Sequence, residues 1–243
     1  KKCAAEREAR AKEDAKKREK SSARAIGILA AANEDPSQHP YSLRKRIDMG
    51  VLLKRGAWPQ RGWEDALLIP IYSASGKIWT LGAINADGEK DYLAGGAKAG
   101  NFYPIGKVRG AARLYIGEGI ATVAVGHALD GSPAVAAMDA GGLDPVAKIV
   151  KCLAAPGAEI IFLADDDQKD GEEKNVGIEA ATKAAQAVGG RVAVPGLGRK
   201  ADFWDLWNER GIDAVREAVD AASHVDGVQD NAPAPQIEFM PAP

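Results

Sequence analysis

The chain has 243 residues, of which 46% are hydrophobic and 27% are charged, a composition typical of globular proteins that excludes a disordered chain. No apolar run approaches the ~20 residues that a membrane helix needs, and the Lys-rich start lacks the pattern of a signal peptide, so we expect a cytoplasmic protein with no membrane partner. The two cysteines cannot form a disulfide framework or a four-cysteine zinc site.

The formal net charge of -2 hides a split along the chain. Residues 1–110 carry 21 basic and 13 acidic side chains, whereas residues 111–243 carry 11 basic and 21 acidic ones. A basic first half joined to an acidic second half is an asymmetry that any function has to explain. Because the chain begins with Lys rather than Met, we also expect a fragment of a longer protein.

The first half is predicted to hold a helix and then a β unit. Residues 2–34 are rich in Ala, Glu, Lys and Arg without Pro, which predicts one long helix. Its first part is charged on nearly all faces, as in a solvated connecting helix; an arm that contacts nucleic acid is the alternative. Residues 35–64 are expected to be loop and short helix. Residues 66–110 hold short apolar runs between Gly-containing turns, which predicts an antiparallel β unit.

From residue 111 onward, short apolar runs alternate with helical segments, a pattern typical of a parallel sheet covered on both faces. The predicted strands are Leu114–Ile116, Ala134–Met138, Ile160–Ala164 and Val192–Val194, and the predicted helices are 121–129, 144–154 and 176–188. A helical pair at 202–209 and 211–222 should follow, and the Pro-rich residues 226–243 are expected to form a tail or linker. The sequence therefore predicts an α/β fold.

Acidic residues follow three of these strands, at the sheet edge where α/β proteins gather function. They are Glu118 in LYIGEG, Asp165, Asp166 and Asp167 in IIFLADDD, and Asp202 and Asp205 near Lys200 in GRKADFWDL. Residues two apart share one side of a strand, so Asp165 and Asp167 are predicted to share a site while Asp166 faces away. Two carboxylates ~4 Å apart repel by about 4 kcal/mol at an effective dielectric of about 20, and a divalent cation relieves that repulsion. A solvated acidic loop is the alternative.

The order strand–Glu-Gly–helix, strand–DxD and a later Lys/Asp segment resembles the Toprim domain of topoisomerases and primases over residues 111–210. With the upstream motifs HPYSLRKRI and LLIPIYSASGKIWTLGAINADGEKDYLAGGAKAGNFYPIG, the chain resembles the primases of plasmids, phages and conjugative elements over roughly residues 38–210. The resemblance implies a Toprim-type parallel sheet with flanking helices, preceded by a long helix and a small mixed α/β basic subdomain. The implied domains are an N-terminal helix (1–35), a basic N-terminal subdomain of the primase core (36–110), a Toprim domain with C-terminal helices (111–224) and a Pro-rich tail or linker (225–243).

The resemblance also implies a reaction, namely the synthesis of short RNA primers on a single-stranded DNA template from ribonucleoside triphosphates during DNA replication. The implied cofactor is Mg²⁺ or Mn²⁺, and a replicative helicase or a further domain is a candidate partner. By motif, Glu118 matches a catalytic strand-end Glu, and Lys200 is placed near the triphosphate or primer. The metal ligands carried over are Glu118, Asp165, Asp167, Asp202 and Asp205.

Basic residues upstream of the acidic motifs suit contact with a nucleic-acid backbone. Residues 36–110 carry 11 basic and 6 acidic side chains. In the family that the chain resembles, basic residues of this region line the template groove. The candidate contacts to nucleic acid or nucleotide are Arg44, Lys45, Lys90, Lys98 and Lys107, and a solvated surface charge is the alternative for each of them.

Two other functions stay open at this point. A Toprim nuclease would use the same carboxylates to cleave DNA rather than to extend a primer. A non-catalytic module for recombination or replication would bind single-stranded DNA and keep only the Toprim shell. A topoisomerase would need a nucleophilic Tyr on a separate domain, for which this chain leaves too little sequence.

Overall fold

The structure, a computed structural model, describes residues 2–168 and 174–225; the predicted tail lies outside the described residues from position 226 onward. The chain divides into two compact units. The first contains the residues up to Arg44 together with Leu52–Lys98, and the second contains Lys45–Val51 together with the residues from Ala99 onward.

The first unit packs a long helix on a four-stranded antiparallel sheet. Helix α1 covers Lys2–Ala31, and a 3-10 turn at Pro36–Gln38 leads into the short helix α2, Pro40–Lys45. The strands, in their order across the sheet, are β1 (Lys54–Trp58), β2 (Trp63–Tyr72), β3 (Ile78–Asn85) and β4 (Lys90–Tyr92). Their pairing confirms the predicted antiparallel β unit.

Strand β1 corrects the prediction of loop and short helix for residues 35–64. Its five residues contain a Gly and begin with two charged side chains, so they carry no strand signal of their own. They are held in the sheet by β2, because Lys54 pairs with Leu68 and Gly56 pairs with Ala66. The pairing partner, rather than local propensity, makes this segment a strand.

Only the last turns of α1 join the core of the first unit. Ala25 is fully buried, and Ile28 and Leu29 pack with it against a cluster that contains Trp58 and Leu81. Because apolar residues are confined to this end, the rest of the helix has little to bury. This agrees with the sequence-based view of a mostly solvated helix with a packed end.

The second unit is an α/β sheet of six strands in the order β10-β9-β8-β6-β7-β5. The strands are β5 (Tyr103–Ile105), β6 (Arg113–Gly117), β7 (Ala134–Ala136), β8 (Glu159–Leu163), β9 (Arg191–Ala193) and β10 (Ser223–His224). Strands β6 to β9 run parallel, whereas β5 and β10 add antiparallel edges. All four predicted parallel strands are therefore confirmed, and the two antiparallel edge strands were not anticipated.

Helices cover both faces of this sheet. They are α3 (Ile120–Asp130), α4 (Ala140–Leu153), α5 (Val176–Val188) and α6 (Phe203–Asp220). Helix α3 packs with α6, and α4 packs with α5, so the strand side chains between them are buried. Helix α6 breaks at Gly211, where φ is 81°, and this confirms the predicted helical pair. No helix in the described ranges is long and apolar enough to cross a membrane.

The segment 45–51 belongs to the second unit although it lies between two elements of the first. Met49 is buried, and its carbonyl accepts a hydrogen bond of 2.8 Å from the Tyr103 hydroxyl. The Trp204 indole nitrogen donates to the Lys45 carbonyl at 2.8 Å. These contacts fasten the segment beside the first turn of α6, at the same sheet edge that carries the acidic motifs.

Candidate active site

The carboxyl ends of β6, β8 and β9 carry five acidic residues and one lysine that the sequence analysis identified. We call this group the acidic edge: Glu118, Asp165, Asp167, Lys200, Asp202 and Asp205. Glu118 directly follows β6, and Gly119 after it caps the start of α3. Its Oε1 atom is buried. Because β6 and β8 are adjacent parallel strands, their ends place Glu118 and the Asp165 segment side by side.

A backbone bridge joins the aspartate segment to the loop after β9. The Asp166 amide donates to the Ala201 carbonyl at 2.8 Å, and the Ala201 amide donates back at 2.9 Å. The bridge is antiparallel, so its register sets Asp167 opposite Lys200. The Lys200 ammonium accordingly lies 2.8 Å from Asp167 Oδ1.

The charges of three carboxylates act on the Lys200 ammonium. Its pKa is raised, first by the hydrogen bond to Asp167 and also by the negative charges of Asp165 and Glu118. Asp166, in contrast, accepts a 2.6 Å hydrogen bond from Asn175. Asp167 therefore pairs with Lys200, whose pKa the charge of Asp165 also raises, while Asp166 is held by Asn175.

Asp202 and Asp205 form a capping box at the start of α6. Asp202 Oδ1 accepts from the Asp205 amide at 2.8 Å, and Asp205 Oδ2 accepts from the Asp202 amide at 3.0 Å. Burial raises the pKa of Asp202, although the nearby charge of Lys45 works in the opposite direction. The structure gives these two carboxylates a helix-capping role, and their function as metal ligands stays a prediction.

Two polar residues that the sequence reasoning missed hold the aspartates in place. Asn175 caps α5 through a hydrogen bond from the Ile178 amide, and its Oδ1 atom also accepts from the Asp167 amide at 3.1 Å. The Thr122 hydroxyl lies 3.3 Å from Asp165 Oδ1. An Asn immediately before an apolar helical pattern is a recognised helix-start signal, but nothing local says that it also reaches back to the preceding aspartates.

A close backbone approach also positions the aspartates. A Cβ atom on Gly177, in the first turn of α5, would lie 2.2 Å from the Asp165 carbonyl oxygen. Only glycine lets the helix start this near to the end of β8, so the glycine in the NVGIEA run sets the spacing between α5 and the Asp165 carbonyl.

The five candidate nucleic-acid contacts divide between the two units. In the first unit, Arg44 donates to the Ala86 carbonyl at 3.0 Å, the Lys98 ammonium lies 4.0 Å from the centre of the Tyr92 ring, and Lys90 is exposed at the start of β4. In the second unit, Lys107 is exposed, and the Lys45 ammonium lies 3.5 Å from the centre of the Trp204 ring. Lys45 is therefore the basic candidate that the structure places next to the acidic edge.

The residues of the acidic edge fit a hard divalent cation in their chemistry. Their donors are carboxylate oxygens, which such ions prefer, and one of them, on Asp167, already pairs with the ammonium of Lys200. Within residues 2–168 and 174–225, however, no three His, Cys, Asp or Glu side chains converge closely enough to hold a metal ion. The carboxylate oxygens therefore have the atom type and charge that a divalent metal ion requires, and the Lys200 ammonium is the cation that lies beside Asp167.

Comparison with known proteins agrees with this architecture. Residues 113–213 match the family model described as the Toprim domain. The chain is 36% identical over 151 residues to the DNA primase TraC of Escherichia coli, an alignment that covers 60% of this chain and 10% of that protein. The chain thus spans about a tenth of the length of the curated relatives it matches.

Solved structures show the same fold over most of the chain. The DnaG primase catalytic domain bound to ssDNA gives a TM-score of 0.59 at 13% identity, covering 87% of this chain and 81% of that one. The Aquifex aeolicus primase, with its zinc-binding and RNA polymerase domains, gives 0.56 at 12% identity and covers 86% and 62%. At such low identity these likenesses establish the fold alone.

The parallel sheet with its acidic edge thus lies in the part of the chain, residues 113–213, that matches the Toprim domain, as the motifs predicted. The primase catalytic cores share its fold, and domains of this kind generally use a divalent metal. The predicted similarity to Toprim-type primases is confirmed by the relatives named DNA primase TraC.

Proposed function

We propose that this chain is the catalytic core of a DNA primase that makes short RNA primers on single-stranded DNA by metal-dependent nucleotidyl transfer. The observation that carries the proposal is the position of Glu118, Asp165 and Asp167 at the carboxyl ends of the adjacent strands β6 and β8, with Lys200 paired to Asp167, within residues that match the Toprim domain. The 36% identity to a DNA primase supports polymerisation rather than another Toprim reaction.

In this proposal Glu118, Asp165 and Asp167 hold Mg²⁺ or Mn²⁺, with Asp202 and Asp205 as further ligands. A metal bound there would stabilise the charge of a ribonucleoside triphosphate and would lower the barrier for attack by a 3′-hydroxyl on its α-phosphate, with release of pyrophosphate. We assign to Glu118 the role of accepting or returning the proton of the reacting hydroxyl. Lys200, freed from Asp167, would neutralise the triphosphate.

The basic candidates would contact the nucleic acid. Lys45 is placed to bind nucleotide or primer, because it lies above Trp204 and close enough to Asp202 to influence that carboxyl. We assign the template backbone to the remaining candidates, Arg44, Lys90, Lys98 and Lys107. We also propose that the chain consists of a helix (1–35), a basic subdomain (36–110) and a Toprim domain with C-terminal helices (111–224). The protein would act in the cytoplasm, with a replicative helicase or a further domain as its partner.

Primer synthesis tests the proposal directly. The chain is incubated with circular single-stranded DNA of mixed sequence, radiolabelled ribonucleotides and Mg²⁺ or Mn²⁺, and the products are resolved on a denaturing gel. Short oligoribonucleotides are expected from the parent chain and are lost in Asp165→Ala and Asp167→Ala. The matched control is Asp144→Ala, which removes a carboxylate that pairs with Lys148 on α4 and should keep synthesis intact.

The other outcomes would replace the proposal. Cleavage of the DNA without synthesis would identify a Toprim nuclease. DNA binding that Glu118→Gln leaves unchanged, with no ribonucleotide incorporated by any variant, would identify a non-catalytic module.

A further inference from the structure

The loop between β9 and α6 places a lysine where the proposed site would hold a metal. Lys200 Nζ lies 2.8 Å from Asp167 Oδ1, so the ammonium is the cation that neutralises this carboxylate in the structure. A carboxylate oxygen binds Mg²⁺ at about 2.1 Å, so an ion on Asp167 would lie close to the ammonium, and the two positive charges would repel. The two cations therefore compete for one carboxylate.

The backbone brings Lys200 into competition with a metal ion for Asp167. The bridge between Asp166 and Ala201 fixes the residues on either side of it, so Lys200 starts opposite Asp167 whatever its side chain does. The bridge is made of two hydrogen bonds of 2.8 and 2.9 Å and includes no side chain of the pair. The backbone hydrogen bonds of the bridge, and not packing of the lysine side chain, therefore keep Lys200 beside Asp167.

The side chain of Lys200 can also leave. It is 66% exposed, whereas that of Asp167 is 32% exposed, so the ion pair is open to water on the lysine side. An ion pair between exposed side chains is weak and is broken at small cost. The backbone bridge thus keeps the Lys200 ammonium near Asp167, where a divalent metal ion, with its higher charge, can replace it.

We infer that Lys200 occupies the cation position at Asp167 in the metal-free protein and is displaced when a divalent metal binds. The inference rests on the proposed metal site. It adds that the loop sets the metal affinity, because the site is neutralised in part before the metal arrives. Displacement also frees the ammonium at the moment when a metal-bound triphosphate brings negative charge to the same edge.

Binding of Mn²⁺ tests this without any primer synthesis. Free Mn²⁺ is followed by electron paramagnetic resonance while the metal is added to the parent chain and to Lys200→Met. Lys200→Met should bind Mn²⁺ about fivefold more tightly, the scale of an exposed ion pair together with the loss of one nearby positive charge. Lys200→Arg keeps the charge and should retain the parent affinity.

Two further variants locate the effect. Lys148→Met removes a lysine paired with Asp144 at 3.2 Å on α4, and its Mn²⁺ affinity should equal that of the parent. Adding Asp167→Asn to Lys200→Met should abolish the gain, because the contested oxygen is then a poor ligand. A gain that survives Asp167→Asn, an unchanged or weaker affinity in Lys200→Met, or no Mn²⁺ binding by any variant would overturn the inference.

The melting temperature provides a second readout. In the presence of a chelator, Lys200→Met should melt below the parent chain, because the carboxylates lose their internal cation. Added Mn²⁺ should raise its melting temperature by more than it raises that of the parent. Equal Mn²⁺ responses of the two chains would contradict the inference even if primer synthesis had been demonstrated, so the two proposals fail separately.

Discussion

The two ends of the parallel sheet differ in how their charged side chains are paired. At the amino ends of β6, β8 and β9, the first residues are Arg113, Glu159 and Arg191, and these alternate in sign. Glu159 Oε2 lies 3.2 Å from Arg113 Nη1, and Glu159 Oε1 lies 2.6 Å from Arg191 Nη1. Asp130 at the end of α3 completes the group, 3.2 Å from Arg113 Nε. We call these four residues the amino edge.

The acidic edge has no such balance. Its members among the described residues are five carboxylates and a single lysine, and that lysine is mostly exposed. At the amino edge each charge lies beside one of opposite sign, whereas the acidic edge brings carboxylates together, and nearby carboxylates repel unless a cation lies between them. The comparison separates an ion-paired cluster from the edge that we propose as the active site, within the same sheet.

The amino edge also controls the pKa of a tyrosine. Burial, with a further effect of the hydrogen bond to Asp130, raises the pKa of Tyr115 to about 12. The phenol therefore stays neutral and donates to Asp130 at 2.9 Å throughout the neutral range. This again indicates a cluster whose charges are paired with one another within the fold.

The sharpest test of the comparison exchanges one Glu for Gln at each edge. Glu118→Gln should lower primer synthesis by at least about 100-fold, because it removes a charged ligand and proton acceptor, while the melting temperature stays near that of the parent. Glu159→Gln should do the reverse and lower the melting temperature while synthesis per folded molecule persists. Gel assays and thermal unfolding of the two variants check this, and the comparison breaks if both variants change in the same way.

Removing the arginine at the centre of the amino edge should have the next largest effect. Arg113→Met leaves Glu159 and Asp130 without that partner, and we expect the free energy of unfolding to fall by about 2 kcal/mol. Urea denaturation at neutral pH measures the change. Primer synthesis by the folded fraction should be unaffected, and its loss without loss of stability would place Arg113 in the active site instead.

The role of Asn175 can be divided between stability and positioning. Asn175→Ala should cost about 1 kcal/mol of unfolding free energy, the usual value of a lost helix cap. It should also lower primer synthesis about tenfold, the scale on which misplaced catalytic groups act. Asn175→Ser keeps a capping oxygen but is too short to reach Asp166, so it should recover stability and not synthesis. Recovery of both would show that the cap alone matters.

The smallest expected effect concerns the pH dependence of stability. Burial raises the pKa of Asp202 in the folded chain, so the folded state binds more protons than the unfolded state just above the ordinary pKa of 3.8. Stability is therefore lost as the pH rises through that window, and Asp202→Asn should relieve this loss while it keeps a capping oxygen. Urea denaturation from pH 4 to pH 7 measures the change.

Asp130 at the opposite edge is the control with the opposite sign. Although burial opposes it, hydrogen bonds from Ser132 and Tyr115 lower the pKa of Asp130. Its contribution is present at neutral pH and disappears as the pH falls through the folded pKa. Asp130→Asn should consequently be less stable than the parent at pH 7 and approach it in acid. If the unfolding free energies of Asp130→Asn and Asp202→Asn, relative to the parent chain, changed with pH in the same direction, the proposed difference between the two edges would be wrong.

The amino-acid sequence alone predicted the α/β class, the four parallel strands, the helices between them and the acidic motifs after three of those strands. These features depend on local signals: apolar runs of strand length, helical periodicity and short motifs such as Glu118-Gly119 and Asp165-x-Asp167. A local signal survives in any fold that contains it, which is why residues 111–224 could be interpreted so far without a structure.

Features that depend on residues far apart in the chain became visible only in the folded protein. Strand β1 exists because β2 pairs with it, and the amino edge exists because Arg113, Glu159 and Arg191 begin adjacent strands. The ion pair between Lys200 and Asp167 follows from a bridge across 35 positions, for which neither partner carries a local signal. Pairing across such distances is selected by the packing of the whole sheet, and only the folded chain reveals which cation meets which carboxylate.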